Sequence, residues 1–334
     1  MATRLFAAPS PHIHGGETTR RIMLDVILAL MPALAVSAYI MGWQVLLTTA
    51  VAVVGCVAFE YLIARFLLKR RSTIGDLSAV VTGVLLAFNL PVGIPLWIVL
   101  IGALVAIGVG KMTFGGLGCN PFNPALTGRI FLLIAYPVQM TDWTTKVPDA
   151  LSGPTMLAEV KGSTYDAAGN IVLGNMNLDN VDFVAMFGGH MNGSLGEIGS
   201  LALILGGLYL LWRRVISWHI PVAVLGTMAI FAVCVALGIG GGELCYKLPL
   251  FHILAGGALL GAIFMATDYS TSPMTHKGML IYGVGIGILT MVIRIWGAYP
   301  EGMSFAIFIM NAATPLINKY CRPKRFGTGK HSKM

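Results

Sequence analysis

Long, continuous apolar runs alternate with short polar connections along most of the 334-residue chain. A helix that crosses the hydrocarbon core of a bilayer needs about 20 mainly apolar residues. The pattern therefore predicts ten membrane-spanning helices, at 22–41, 44–66, 76–91, 93–110, 120–139, 197–212, 219–239, 249–267, 278–296 and 303–319. Because the apolar residues are consecutive rather than alternating, the pattern excludes an outer-membrane β-barrel.

Two groups of five predicted helices flank one long polar segment. This arrangement divides the chain into a polar N-terminal segment, a first five-helix repeat, a long loop, a second five-helix repeat and a basic tail, at 1–21, 22–139, 140–196, 197–319 and 320–334. The loop is rich in Asp, Gly, Asn and Thr. Structureless connections of this length are uncommon inside compact domains and are often functional, so the loop is the first place to look for function.

The two halves resemble each other in sequence. GVLLAFNLP in the first half is similar to GALLGAIFMATD in the second, and CNPFNPALTGRIFLLIAYP is similar to FAIFIMNAATPLINK. An odd number of spans in each half inverts the second repeat, and inverted repeats with interrupted helices place a site at their interface. We therefore expect an all-α polytopic membrane protein with about ten transmembrane helices in an inverted 5+5 repeat. The alternative is a chance similarity between two Gly- and Ala-rich segments.

Composition narrows the class of protein further. Hydrophobic residues make up 56% of the chain and charged residues only 11%. Soluble domains carry about 25% charged residues, so both an ordinary soluble protein and a disordered one are excluded. The five cysteines show no spacing typical of a metal or iron–sulfur site, and we expect no metal site in this chain.

The net charge of +8 is concentrated at the chain ends and in the connections that follow even-numbered helices. These basic positions include Arg20 and Arg21, 69–71, Lys111, Arg213 and Arg214, Lys277 and 319–333. Lys and Arg in short loops remain in the cytoplasm. The charges thus predict a multi-pass protein of the cytoplasmic (inner) membrane with both termini in the cytoplasm and loop 140–196 outside. Since topology accounts for the basic residues, no nucleic-acid partner is expected.

Three acidic side chains lie in or at the ends of the predicted helices, where a charge is costly and usually functional. Asp25 and Glu60 lie on the first two helices, where they would pair with each other or face an ion path. Asp268 ends the eighth helix at a polar break whose carbonyls and hydroxyls would bind a cation or a cofactor. We treat all three as ion-path candidates. A satisfied interhelical hydrogen bond or a helix cap is the alternative for each of them.

The Asn-rich segment of the first half supplies three more candidates. Asn120 and Asn123 would contact a cofactor or cap a broken helix. Arg129 would neutralise a phosphate or a carboxylate, or extend its charged end to the membrane surface.

One motif in the long loop has a specific chemical interpretation. Asp149-Ala150-Leu151-Ser152-Gly153-Pro154-Thr155 contains a Ser-Gly-Pro turn that presents a threonine hydroxyl. The motif resembles the Asp-x-x-Ser-Gly-Ala-Thr signature at which a flavin transferase attaches FMN through a phosphoester. That resemblance implies covalent FMN on the Thr155 hydroxyl, with Asp149, Ser152 and Gly153 forming the attachment motif. Pro154 stands where the signature has Ala.

Four further segments resemble the RnfD/NqrB family, which contains the membrane D protein of the Rnf electron-transport complex. The same family includes the B protein of the sodium-pumping NADH:quinone reductase. These segments are GKMTFGGLGCNPFNPALTGRIFLLIAYPVQMTDW at 110–143, NGSLGEIGSLALILGG at 192–207, FMATDYSTSPMTHKG at 264–278 and GAYPEGMSFAIFIMN at 297–311. Together with the flavin motif, they match the family in the same order over nearly the whole chain.

The resemblance implies a fold, an activity and a set of partners. The fold would be a ten-helix inverted repeat similar to urea transporters. The chain would be the flavin-carrying membrane subunit of an ion-translocating ferredoxin:NAD oxidoreductase that couples electron transfer to export of Na+ or H+. Its partners would be membrane lipid and the A, B, C, E and G proteins of the Rnf complex, which would carry the NAD site and the iron–sulfur clusters.

The resemblance also implies a second flavin, riboflavin or FMN, held non-covalently. Asn120, Asn123 and Arg129 are the candidate contacts for it. Two other functions remain open at this point. One is an inverted-repeat channel or small-solute transporter without redox function, and the other is an assembly subunit that has lost its flavin through Pro154.

Overall fold

The computed structural model describes residues 18–70, 73–143, 155–164, 178, 181–189 and 193–322. These residues form helices and connections, and no strand occurs among them. The first half contains α1 (Thr19–Met41), α2 (Gln44–Leu62), α3 (Ser78–Phe88), α4 (Leu96–Leu104), α5 (Pro124–Ala135) and the short α6 (Pro137–Met140). Single π-helical turns extend α2 to Leu67 and α4 to Val109.

Two short helices, α7 (Met156–Ser163) and α8 (Phe183–Gly188), follow in the segment between the halves. The second half contains α9 (Ser200–Trp212), α10 (His219–Ile239), α11 (Leu244–Leu254), α12 (Ala258–Leu260), α13 (His276–Trp296) and α14 (Met303–Tyr320). A π-helical turn extends α12 to Met265.

Five of these helical segments are long and apolar enough to cross a membrane, namely Thr19–Met41, Gln44–Leu67, Leu96–Phe114, His219–Ile239 and His276–Trp296. The pair α11 and α12 forms a sixth candidate span that is bent by 65°. The helices α3, α5 and α9 are apolar but shorter. Among the described residues the protein is therefore an all-helical, multi-pass membrane protein.

Two predicted helices differ from the structure, one by an internal break and the other by a later start. The segment 249–267 is not one straight helix, because the chain between α11 and α12 is extended at Ala255 and has a positive φ of 67° at Gly256. The fifth helix begins at Pro124 rather than at Asn120. Asn123 caps it by accepting hydrogen bonds from the backbone N–H groups of Ala125 and Leu126.

The two halves contact each other through corresponding helices. The first helices of the halves, α1 and α9, pack together, and so do the last, α5 and α14. Gly206 permits the first contact, since a Cβ atom there would lie 2.2 Å from the carbonyl oxygen of Ala29. Within the halves, α2 packs on α3 and α4, and α10 packs on α11 and α13. Several of the polar groups described below lie at the contact between the halves.

Candidate functional site

A cavity of about 80 Å³ lies between the two halves, and we refer to it as the interface cavity. Its apolar wall includes Val26, Leu85 and Phe264. Its polar lining comes from both halves and consists of Ser78, Thr82, Lys111, Asn120, Asn123, Thr267, Asp268, Tyr269 and Ser270. The structure thus brings together three of the candidates from the sequence, namely Asn120, Asn123 and Asp268.

Asp268 follows the helical segment of α12, which ends at Met265, and has two hydroxyl donors. Its Oδ2 atom accepts hydrogen bonds from Ser270 Oγ at 3.0 Å and from Thr271 Oγ1 at 3.3 Å. The Asn120 side chain also lies within hydrogen-bonding reach of this carboxylate. Oxygen atoms of this kind are the ligands that alkali and other hard cations prefer.

The two asparagines both support the fold and face the cavity. Asn123 donates from Nδ2 to the Met265 carbonyl oxygen at 3.2 Å, and this bond ties the first half to the second. Asn120 donates to the Phe122 carbonyl oxygen at 3.0 Å, whereas its Oδ1 atom has no hydrogen-bond partner among the described residues. An unpaired buried acceptor is uncommon in folded proteins, which makes Asn120 available to a ligand.

Glu60 does not pair with Asp25, so that sequence prediction is wrong. Glu60 forms a fully buried ion pair with Lys111, with 2.6 Å between Oε2 and Nζ. Thr73 donates to Glu60 Oε1, and Lys111 also donates to Ser78 Oγ, both at 2.6 Å. This network lies beside the interface cavity because Lys111 and Ser78 line it.

Asp25 has a different partner, at the contact between α1 and α9. Its Oδ2 atom accepts a hydrogen bond from Arg213 Nη2 at 2.9 Å, and its Oδ1 atom accepts one from Tyr209 at 2.9 Å. The Arg213 side chain is 27% exposed. Asp25 itself is buried, and it does not line the interface cavity.

Arg129 is not part of the interface cavity either. Its guanidinium group donates hydrogen bonds to Asn89 Oδ1 and to the Glu301 carboxylate. Asn89 lies at the end of α3, and Glu301 lies between α13 and α14. Arg129 thus links the end of α3 in the first half to the connection between α13 and α14 in the second half. Asn89 in turn donates from Nδ2 to the Leu85 carbonyl oxygen at 2.5 Å.

Thr155 begins α7, and its position is informative about the flavin motif. Its Oγ1 atom caps the helix by accepting a hydrogen bond from the Ala158 N–H at 3.2 Å, and the residue is only 4% exposed. The other motif residues Asp149, Ser152 and Gly153 lie outside the described residues.

Lys161 anchors α7 on the end of α13. Its ammonium group donates hydrogen bonds to the carbonyl oxygens of Ile293 at 3.4 Å, Tyr299 at 2.9 Å and Gly297. Burial lowers the pKa of Lys161, since the charged form loses hydration. The three carbonyl oxygens replace part of that hydration.

Sequence reasoning did not select three of the residues that make these contacts, namely Lys111, Lys161 and Glu301. In the sequence Lys111 belongs only to the charge distribution that sets the membrane topology, and the other two lie in predicted connections. Their side-chain partners are 33 to 172 positions away in the chain, so local spacing carries no signal for them.

Comparison with known proteins identifies relatives over nearly the whole chain. The family model described as "NQR2, RnfD, RnfE family" matches residues 6–327. The chain is 45% identical to the D protein of a "Na(+)-translocating ferredoxin:NAD(+) oxidoreductase complex" of Acetobacterium woodii, over 98% of this chain and 97% of that one. It is 41% identical to the D protein of a "Proton-translocating ferredoxin:NAD(+) oxidoreductase complex" of Clostridium ljungdahlii, over 96% and 95%. These similarities confirm the resemblance that the motifs indicate.

Proposed function

The chain belongs to the NQR2, RnfD, RnfE family, and we propose that it is the D protein of an Rnf-type, ion-translocating ferredoxin:NAD+ oxidoreductase complex. The observation that carries this proposal is the 45% identity to a protein of that name over almost the full length of both chains. The transported ion is Na+ in the name of one relative and a proton in the name of the other. This chain would work with the A, B, C, E and G proteins of the Rnf complex and with membrane lipid.

The proposed cofactor is FMN, attached through its phosphate to the Thr155 hydroxyl. The position of Thr155 at the first turn of α7 supports this, because free backbone N–H groups and the helix dipole at a helix N-terminus favour a phosphate. FMN supplies one- and two-electron redox chemistry when bound. Because Thr155 is almost fully buried, its hydroxyl must leave the cap for the transferase to reach it.

A second, non-covalent flavin is proposed for the interface cavity. The unpaired Asn120 Oδ1 atom and the apolar wall formed by Val26, Leu85 and Phe264 suit a heteroaromatic ring that carries donors and acceptors. A volume of about 80 Å³ holds only a few water molecules. A tricyclic ring therefore requires Tyr269, which is 57% exposed at the cavity, to move aside. Arg129 binds Asn89 and Glu301 and is not assigned to this flavin.

We further propose that ten membrane segments form an inverted 5+5 repeat in the inner membrane, with both termini in the cytoplasm. The five long spans, the bent α11–α12 pair, the shorter helices α3, α5 and α9, and α14 add up to ten segments. The contacts α1–α9 and α5–α14 support this proposal, since a two-fold axis between the halves would relate the partners of each pair.

Purification of the complex through a tag on this chain tests the proposed function. In vesicles, the purified complex should reduce NAD+ with reduced ferredoxin and take up Na+ or H+ only while electrons flow. A channel or passive transporter would instead conduct ions or solutes in the absence of redox substrates. Loss of the tagged chain from the active complex would contradict the proposal.

A further inference from the structure

Three buried charged residues and the half-buried Glu301 form a cluster between the halves, and we refer to Arg129, Arg294, Glu197 and Glu301 as the charge quartet. Arg129 pairs with Glu301. Glu197 accepts a hydrogen bond from Ser194 at 2.7 Å and lies close enough to both arginines to interact electrostatically. Arg129, Arg294 and Glu197 are 5%, 2% and 3% exposed. The quartet thus holds two positive and two negative charges largely out of contact with water.

Both arginines converge on the break between α11 and α12. Arg294 donates to the carbonyl oxygens of His252 at 2.5 Å and Ala255 at 2.9 Å. A Cβ atom on Gly256 would lie 2.9 Å from Arg294 Nη2, and one on Gly257 would lie 3.8 Å from Arg129 Nη1. Gly256 therefore leaves the space that the Arg294 guanidinium group fills, whereas a Cβ atom at Gly257 would make only an ordinary contact with Arg129.

The charge quartet separates two cavities. Arg294 and His252 line a small cavity of about 20 Å³ beneath α7. On the other side, Arg129 binds Asn89, and Asn89 binds the carbonyl oxygen of Leu85, which lines the interface cavity. An ion that followed this chain of contacts from one cavity to the other would pass the quartet.

We propose that the charge quartet is an ion seal: Arg129 permanently occupies the carboxylate of Glu301, both buried arginines keep their positive charge near Glu197, and together they prevent cations from leaking through this chain. Buried carboxylates between two cavities would otherwise be a binding site for a cation. A guanidinium group remains charged at any physiological pH and is tethered to its helix. A cation can enter only by breaking a buried ion pair.

A seal can be distinguished from a merely structural ion pair. If the pair is a seal, the cation leak of a variant depends on the sign of the charge that the substitution leaves uncompensated. Removal of Arg129 leaves the Glu301 carboxylate uncompensated, and Glu301 Oε1 already has no hydrogen-bond partner among the described residues. A cation from solution would then neutralise it. Removal of Glu301 leaves Arg129 uncompensated, and the surplus positive charge repels cations.

The test compares two variants that break the same ion pair. The complete complex, carrying Arg129→Gln or Glu301→Gln, is reconstituted in vesicles without ferredoxin or NAD+. A potassium diffusion potential set with valinomycin drives passive uptake of 22Na+ or, with a pH-sensitive dye, of protons. Lys247→Gln serves as the control variant, since it breaks the exposed Lys247–Glu243 pair.

Arg129→Gln should raise passive cation uptake about tenfold or more, a change that needs only about 1.4 kcal/mol in the barrier. Glu301→Gln and Lys247→Gln should both remain at the wild-type rate. Equal leaks from Arg129→Gln and Glu301→Gln would show that the pair only holds the fold, and this would overturn the seal. No leak from Arg129→Gln would overturn it too.

If Arg129→Gln does not accumulate, the other two members of the quartet, one positive and one negative, give a second comparison. Arg294→Gln should leak and Glu197→Gln should not, and equal rates from these two variants would again overturn the seal. The proposal is independent of the flavins, because the measurement contains no electron donor. A conducting wild-type complex would contradict both the seal and the proposed function.

Discussion

Glu60 and Asp25 illustrate that the contribution of a buried carboxylate to stability depends on how exposed its partner is. Both appear in the sequence as single acids in apolar helices. In the structure Glu60 and Lys111 are 0% and 1% exposed, whereas the Arg213 partner of Asp25 is 27% exposed. Loss of one member of a buried pair leaves an uncompensated charge and costs about 3–5 kcal/mol. A partly exposed pair contributes about 0–1 kcal/mol.

Glu60→Gln should therefore lower the thermal stability of the detergent-solubilised complex more than Asp25→Asn does. A thermal-shift series on the two variants measures this difference. Lys111→Met provides the control, because Glu60→Gln combined with Lys111→Met removes both charges and should be more stable than Glu60→Gln alone. Equal stability of the single and double variants would argue against a buried ion pair.

A prediction about ion transport follows for the same two residues. Glu60 binds Lys111, and Lys111 lines the interface cavity. In vesicles, Glu60→Gln should leave electron transfer from ferredoxin to NAD+ measurable but lower the number of ions moved per electron. Asp25→Asn should have a smaller effect, because Asp25 does not line the cavity. Unchanged transport stoichiometry in both variants would remove these carboxylates from the ion path.

Thr155 is tested by its own chemistry. Its hydroxyl oxygen would become the ester oxygen, so Thr155→Ala should abolish covalent flavin fluorescence in a denaturing gel, whereas Thr155→Ser should retain it. Ferredoxin-dependent NAD+ reduction should be lost in Thr155→Ala while the complex still assembles. Mass spectrometry of the wild-type peptide containing Thr155, from cells that have the transferase, must find the added mass of FMN; an unmodified peptide would refute the assignment.

At the scale of helices, apolar runs predicted most of the structure because helix length and hydrophobicity decide where a membrane helix forms. The predicted 219–239 coincides with α10, and 303–319 ends one residue before α14 does. The break at Gly256 and Gly257 was missed, since glycines that separate two helices look the same in sequence as glycines that let helices pack closely. Only the positions of Arg129 and Arg294 reveal which kind these glycines are.

The attachment of α7 to the end of α13 through Lys161 could not be predicted from the sequence, because the contacting residues are far apart in the chain. Lys161 satisfies three carbonyl oxygens at the end of α13, and a hydrogen bond to a charged group contributes roughly 1.5–3 kcal/mol. Lys161→Met should detach α7 from the helix bundle. Faster amide hydrogen exchange at residues 155–164 measures this, and Lys161→Arg, which keeps the charge, should stay closer to the wild-type rate.

At the scale of the molecule, polar groups lie in series along the contact between the halves. The interface cavity with Asp268 comes first, then Asn89 and the charge quartet, and then the small cavity beneath α7. The sequence indicates that such groups exist in the apolar segments. It does not indicate their order, because each step joins residues from different helices.

Which end of this series faces the cytoplasm depends on the membrane orientation of the chain. The distribution of Lys and Arg predicts that orientation. Basic residues at 69–71, at Arg213 and Arg214 and in the tail place the interface cavity toward the cytoplasm and α7 outside. An alkaline phosphatase fusion after residue 165 should be active, since the enzyme folds outside the cytoplasm, and a green fluorescent protein fusion there should be dark. The same two reporters fused after residue 322 should give the opposite result. Fluorescence of the green fluorescent protein fusion at residue 165 would indicate the opposite membrane orientation. The proposed flavin on Thr155 would then lie on the cytoplasmic side.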